Sequence, residues 1–243
     1  MVRMSRSQVQ QLLAQALALH QGGQFNEAAM LYEQVLQSEP RNFDALHLMG
    51  IVSAQTGHFQ QAAELIGKAI KINPLVPIAH NNRGNALKDL GQFEPAIACY
   101  NRAIALDPNY AEAFYNRALQ ASERLLGPEH PATNATRFGL ANLYSDLERY
   151  DEAIALRRLE LEIAEKRDGR EAPGTLTSIH CLGQDLYWND ELAESEQLLR
   201  EALSGRIAVL GDQDGATMAS RYALANTLGA LERYDEAIEL RRI

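Results

Sequence analysis

The sequence predicts an all-α protein, a right-handed α-α superhelix of about thirteen helices. Two periods predict this fold: the first part of the chain repeats every 34 residues, and the second part repeats every 42 residues. No segment of useful length alternates apolar and polar residues, so strands are not expected. Repeats of roughly 20 to 45 residues are typical of helix pairs that bury their apolar faces only against neighbouring pairs.

Three repeats of the shorter kind cover residues 9–110. Gly-Gln-Phe at 23–25 returns as Gly-His-Phe at 57–59 and as Gly-Gln-Phe at 91–93. Each glycine can adopt the left-handed conformation that ends a helix. A proline stops each second helix at the same step, and small residues are expected to let the paired helices approach closely. The prolines are Pro40, Pro74 and Pro108, and the small residues are Ala16, Gly50 and Gly84, facing Ala28, Ala62 and Ala96.

Longer repeats follow. The stretch LANLYSDLERYDEAIALRR at 140–158 returns as LANTLGALERYDEAIELRR at 224–242, and a weaker copy lies midway at 182–200. The additional residues lengthen the second helix and its loop. Across both parts, helices are predicted near 7–21, 25–38, 43–56, 59–72, 77–90, 93–106, 111–126, 133–147, 150–167, 175–189, 191–209, 214–231 and 234–243.

One predicted helix, 111–126, satisfies both patterns. Its first half is what a 34-residue repeat places in its first helix, and its second half is what a 42-residue repeat places in its second helix. We therefore expect three shorter repeats over 1–110, a shared junction helix over 111–126, and longer repeats over 127–243 with the last one truncated. A fusion of two repeat families, natural or engineered, is the simplest explanation.

Charge is unevenly distributed. Residues 1–126 carry 10 basic and 10 acidic side chains, whereas residues 127–243 carry 13 basic and 22 acidic ones, which accounts for the net charge of −9. This argues against nucleic acid or an anionic membrane as a partner of the second part. Cys99 and Cys181 lie far apart in helical patterns, which favours reduced thiols and a cytoplasmic location. No apolar run is long enough to predict a spanning helix.

The shorter repeat resembles the tetratricopeptide repeat, and residues 79–108 look closest to the array that precedes O-linked N-acetylglucosamine transferases. That resemblance implies a column of asparagines holding an extended polypeptide in a groove. Asn82 and Asn116 match the column, whereas Leu48 and Ala14 occupy it in the two earlier repeats. The longer repeats, with connectors such as LGPEHP at 126–131, resemble those of kinesin light chains.

Nothing in the sequence indicates catalysis or a cofactor. There is no glycine-rich phosphate loop, HExxH, CxxC or nucleophile elbow, and the six histidines lack metal-ligand spacing. Recurrent acidic pairs such as Asp151–Glu152 stand at a helix start, where they interact favourably with the helix dipole. We therefore expect no enzyme activity, no bound cofactor and no metal.

The surface that remains is the groove lined by the first helices of the repeats. Asparagine amides there can bond an extended backbone as donor and acceptor. The predicted groove residues are Asp44, His47, Asn81, Asn82, Asn85, Lys88, Tyr115 and Asn116 in the first array, and Phe138, Asn142, His180, Gln184, Trp188, Tyr222 and Asn226 in the second.

The leading interpretation is a non-catalytic scaffold that binds a peptide or protein in this groove. Two alternatives stay open: an engineered repeat fusion with no evolved ligand, and a substrate-targeting fragment of a larger glycosyltransferase. The last repeat leaves apolar surface over 214–243, so a homodimer through this C-terminal end is also expected.

Overall fold

The computed structural model describes residues 4–242, which form thirteen α-helices and no strand. The predicted all-α repeat fold is confirmed. The helices are α1 (Arg6–Gln21), α2 (Phe25–Ser38), α3 (Phe43–Gln55), α4 (Phe59–Ile72), α5 (Pro77–Asp89), α6 (Phe93–Leu106), α7 (Ala111–Leu126), α8 (Pro131–Asp146), α9 (Tyr150–Asp168), α10 (Pro173–Trp188), α11 (Leu192–Leu210), α12 (Gly215–Ala230) and α13 (Tyr234–Arg241).

The predicted helix bounds agree closely with those observed. The main differences are the starts of α8 and α10, two residues earlier than expected, because Pro131 and Pro173 occupy the first position of these helices. Proline is well suited there, since its missing N–H would have no partner within the helix. Ile243, the end of the predicted last helix, lies outside the described residues.

The chain divides into two compact units, residues 1–120 and 121–243, and the division falls inside the continuous helix α7. In the N-terminal unit, consecutive helices from α1 to α6 pack against each other, and α1 also contacts α3, which contacts α5. In the C-terminal unit, consecutive helices from α8 to α13 pack in the same way, and α10 contacts α12. The first helices of successive pairs therefore form one layer within each unit.

Small residues set the spacing of the helix pairs. A Cβ atom added to Gly50 would lie 2.5 Å from Ile66 Cγ1 and 3.3 Å from the Ala62 carbonyl oxygen. The predicted close approach is confirmed at this pair. At Gly84, the added Cβ would lie 2.5 Å from the Tyr100 ring. The neighbour that requires a glycine at position 84 is thus Tyr100, which fills the space between the helices.

The turns between paired helices need a left-handed residue in both arrays. In the N-terminal unit, Gly23, Gly57 and Gly91 have φ angles of 74°, 78° and 72°, as the sequence predicts. In the C-terminal unit the same conformation falls on non-glycine residues 42 positions apart. These are Glu148, Asp190 and Glu232, with φ angles of 58°, 62° and 61°.

Candidate peptide-binding grooves

In the N-terminal unit, the predicted groove residues lie on α3, α5 and α7, but they differ in accessibility. Asp44 and Tyr115 are exposed, and Asn82, Asn85 and Lys88 are half-buried. His47, Asn81 and Asn116 are buried, with exposed fractions of 7%, 0% and 7%. The structure therefore places three of the eight residues below the surface that a ligand would contact.

Buried amides in this unit bond to each other. Asn116 Nδ2 donates to Asn81 Oδ1 at 3.1 Å, and Asn81 Nδ2 donates to Glu112 Oε1 at 3.0 Å. These contacts join α5 to α7. Both amide groups of Asn81 are thus used inside the protein.

The same relationship occurs one repeat earlier. Asn82 Nδ2 lies 3.2 Å from His47 Nε2, and this pair is separated by 35 positions, like Asn81 and Asn116. Burial lowers the pKa of His47, against an opposing effect of Asp44, which favours the neutral ring. A further repeat earlier, Leu13 and Leu48 belong to one apolar cluster. The column that resembles a peptide-binding ladder thus joins successive first helices in this protein.

The remaining polar groups of this groove are also partly engaged. The Tyr100 hydroxyl donates to Asn85 Oδ1 at 2.9 Å, and Lys88 Nζ lies 3.3 Å from Asp89 Oδ1. Lys88 and Asp89 are both about one-third exposed, so this ion pair leaves the ammonium group accessible to solvent.

In the C-terminal unit, most predicted residues are accessible. Trp188 and Tyr222 are 63% and 55% exposed. Gln184 and Asn226 are exposed as well, and Phe138 and Asn142 are half-buried.

His180 is the exception in this unit, since it is only 7% exposed. Its Nδ1 lies 3.2 Å from the Ser220 hydroxyl oxygen. Burial, helped by Arg206 and Arg157, lowers its pKa to about 4. The structure therefore places His180 in the interior, as a neutral ring at physiological pH.

A polar pocket of about 430 Å³ lies between α8 and α10, and it contains three predicted residues, Asn142, Gln184 and Trp188. Its floor is an ion pair that the sequence analysis missed. Arg157 Nε donates to Asp185 Oδ2 at 2.9 Å, and both side chains are buried. Arg157 Nη2 donates to Asn142 Oδ1 at 2.6 Å.

Further contacts hold this ion pair in place. The Ser145 hydroxyl donates to Asp185 Oδ1 at 2.7 Å, and the Arg157 guanidinium lies 4.7 Å from the centre of the Phe138 ring. A signal for Arg157 did exist in the sequence. Arg241 and Asn226 stand 84 positions after Arg157 and Asn142, and Arg241 Nη2 donates to Asn226 Oδ1 at 2.7 Å.

A second pocket, of about 360 Å³, lies between the first halves of α8 and α10, above α9. Glu160, which the sequence analysis also missed, lines it and is 5% exposed. Its Oε1 accepts hydrogen bonds from the Ser178 hydroxyl at 2.9 Å and from Asn134 Nδ2 at 3.2 Å. Its Oε2 is buried and has no partner. Burial raises the pKa of Glu160, although Ser178 and nearby arginines oppose the shift.

Two searches of the described residues concern metals and membranes. Between residues 4 and 242, no group of three or more His, Cys, Asp and Glu side chains could hold a metal ion. Within the same range, no helix combines the length and apolar character that crossing a bilayer requires. Cys99 and Cys181 are free thiols, Cys99 buried and Cys181 half-buried.

These observations define a helical-repeat protein whose first helices line grooves. Family models assign the repeats. The tetratricopeptide repeat model matches residues 110–166 and 174–241, a second tetratricopeptide repeat model matches 19–81, and a TPR repeat model matches 84–120. The chain belongs to the tetratricopeptide repeat family. Such repeats generally mediate protein–protein interactions and are typically non-catalytic.

Solved structures include relatives of both resemblances. A mutant of the Thermobaculum terrenum O-GlcNAc transferase is 27% identical, with a TM-score of 0.50, and the match covers 58% of this chain and 27% of that one. The chain thus spans about a quarter of that enzyme. Nearly identical kinesin light chain TPR-like repeats from Podospora anserina are 22% identical over 84% of this chain and 93% of theirs, with a TM-score of 0.45. Among curated proteins, no sequence matches.

Proposed function

We propose that the chain is a non-catalytic protein-interaction module, and that its C-terminal unit holds an extended peptide along α8, α10 and α12. One observation carries this proposal. Asn142 and Asn226, 84 positions apart, each have the side-chain oxygen held by an arginine, Arg157 or Arg241. Neither Nδ2 group makes a hydrogen bond within the described residues, so each is oriented and left to donate.

An oriented amide donor suits the carbonyl oxygens of an extended peptide. Because the arginine already fixes the rotamer of each asparagine, little side-chain entropy is lost when a ligand binds. Between the two asparagines lie the exposed side chains of Trp188 and Tyr222. Exposed aromatic residues of this kind are frequent anchors in protein interfaces, since they bury a large apolar area.

The N-terminal unit is a weaker candidate for this role. Its buried amides already bond to each other, so Asn81 and Asn116 have no free donor for a ligand. The exposed Asp44 and Tyr115 and the half-buried Asn82, Asn85 and Lys88 remain on its groove face. They form a second surface that a long partner can reach after it binds the C-terminal unit.

Trp188 makes a direct test practical, because it is the only tryptophan in the chain. A library of acetylated, amidated hexapeptides is titrated against the full chain while Trp188 emission is recorded. We expect a subset of peptides to shift this emission with saturation. For these peptides, Asn142→Ala and Asn226→Ala are each expected to weaken binding about tenfold, corresponding to one lost hydrogen bond of about 1.4 kcal/mol.

Asn26→Ala is the matched control, since Asn26 is an exposed asparagine on a second helix, α2. It should leave binding unchanged. A library in which no peptide changes Trp188 emission would contradict the proposal. So would peptides that bind both groove variants as tightly as the control.

A further inference from the structure

The Glu160 pocket has a polar floor and apolar walls. Phe138 and Ala135 of α8 and Ala164 of α9 provide apolar surface, and Glu160 lies among them. Asp168 lies at the same pocket, where it is an exposed residue. A long side chain with an apolar stem and a polar end would match these surroundings.

Glu160 presents one oxygen without a donor. Asn134 and Ser178 both bond to Oε1, so they fix the carboxylate group, while Oε2 is left buried and unpaired. An unpaired polar atom that is buried carries an unfavourable desolvation term of about 1–3 kcal/mol, and more when it is charged. A donor placed next to Oε2 would remove this term.

No neighbouring cation supplies that donor. Arg137 bonds to Asn134, Glu123 and the Pro128 carbonyl oxygen, and Arg167 pairs with Asp168. Arg157, three residues before Glu160, bonds to Asp185 and Asn142. Its Nη1 is also unpartnered, but the guanidinium lies against the Phe138 ring and forms no ion pair with Glu160.

We propose that this pocket is a subsite for a lysine side chain of the bound peptide, whose ammonium group donates to Glu160 Oε2. The assignment rests on the proposed function, because it takes the ligand to be a peptide in the groove of the C-terminal unit. The lysine stem packs against Phe138, Ala135 and Ala164. The pocket adjoins Asn142 along α8, so one extended peptide reaches both.

The geometry favours lysine over arginine. A guanidinium group binds a carboxylate best through two parallel hydrogen bonds, one to each oxygen. Oε1 of Glu160 is already occupied by Asn134 and Ser178, which leaves a single oxygen for the ligand. An ammonium group is a compact donor that needs only one such acceptor. The raised pKa of Glu160 agrees with a carboxylate that lacks a cationic partner in the free protein.

The test uses the hexapeptides that bind the full chain, with Trp188 emission as the readout. Replacing a single lysine of a binding peptide by norleucine is expected to weaken binding about tenfold, and replacing it by arginine should weaken it severalfold. Glu160→Gln keeps the acceptor for Asn134 and Ser178 but removes the charge. In this variant the preference for lysine over norleucine should disappear, while the peptide still binds.

Glu162→Gln is the control, because Glu162 is an exposed glutamate on the same helix. It should preserve the preference for lysine. Peptides that bind without preferring lysine, or that keep the preference in Glu160→Gln, would overturn the subsite and leave the proposed function standing. A preference for arginine equal to that for lysine would overturn the assignment to an ammonium group. Because norleucine is introduced in the peptide, the wild-type comparison holds even if Glu160→Gln does not fold.

A second probe separates the subsite from the proposed function. Nα-acetyl-lysine N-methylamide is added to the ¹⁵N-labelled chain at millimolar concentration, with the norleucine analogue as reference. We expect only the lysine compound to shift the amide signals of Asn134 and Ser178, and only when Glu160 is present. If no hexapeptide binds, the proposed function fails, and this shift alone decides whether the pocket recognises an ammonium group.

Discussion

Asn116 donates its amide to Asn81 at 3.1 Å, and the two residues lie 35 positions apart, one more than the repeat period. Asn82 and His47 repeat this relationship at 3.2 Å one repeat earlier. Each pair therefore links a residue on one first helix to the following column on the next. In this protein, the column that resembles a peptide-binding ladder holds neighbouring repeats together.

The first prediction concerns this link. Asn81→Ala removes the acceptor of Asn116 and one donor to Glu112, and both of these side chains are buried. We expect the free energy of unfolding to fall by about 1–3 kcal/mol, since buried polar groups lose their partners. Urea denaturation followed by circular dichroism measures it. Asn26→Ala, at an exposed site, should change the free energy by less than about 0.5 kcal/mol. Equal effects of the two variants would show that the buried bond contributes nothing.

Much of the fold could be predicted because helix pairs and their turns follow local patterns. Periods of 34 and 42 residues, helix-ending glycines and prolines locate the helices without any knowledge of packing. The site was harder, because helical periodicity indicates which face a residue occupies but not its depth. Asn81 and His180 fall on the groove face and are nevertheless covered by neighbours. Glu160 lies on a second helix, where a groove residue was not expected.

The second prediction concerns the floor of the polar pocket. Asp185→Ala leaves the buried Arg157 without its carboxylate, so the free energy of unfolding should fall by about 3–5 kcal/mol. Arg158 and Glu194 form a comparable pair at 2.7 Å, but they are 48% and 37% exposed. Glu194→Ala should therefore cost about 1 kcal/mol or less. Chemical denaturation of both variants measures the contrast. Similar losses would mean that burial of the Arg157–Asp185 pair has no influence on its contribution.

The third prediction concerns the left-handed turn residues. Glu148 has a φ of 58°, a conformation that is unfavourable for a residue with a Cβ atom by about 1–2 kcal/mol. Glycine avoids this strain but has more freedom to lose on folding, so Glu148→Gly should stabilise the fold by about 0.5–1 kcal/mol. The reverse exchange, Gly91→Glu, should destabilise it, although the space around the Gly91 side-chain position is open. Thermal denaturation tests both. A stabilising Gly91→Glu would contradict the conformational argument.

The fourth prediction concerns the C-terminal end. Tyr234 and Ile238 of α13 are 61% and 48% exposed, and Tyr222 of the preceding helix is 55% exposed. Large exposed apolar groups close together favour association. We therefore expect a concentration-dependent rise in mass through residues 214–243, measured by light scattering, and Ile238→Glu should suppress it. A wild type that stays monomeric at every concentration would exclude this contact.

The last prediction concerns His180 and pH. Its pKa is lowered from 6.5 to about 4, because burial and the nearby Arg206 and Arg157 disfavour the charged ring. A histidine whose pKa is depressed by folding contributes stability that is complete above pH 6.5 and is lost as the pH falls towards 4. At about 1.4 kcal/mol per pKa unit, the loss amounts to roughly 3 kcal/mol. His180→Gln cannot titrate, so the wild type should lose about this much more stability than the variant between pH 7 and pH 4. Urea denaturation at several pH values measures the difference, with His58→Gln, at an exposed position, as the control. If the wild type and His180→Gln lose stability in parallel, protonation of the buried ring is not what destabilises the fold in acid.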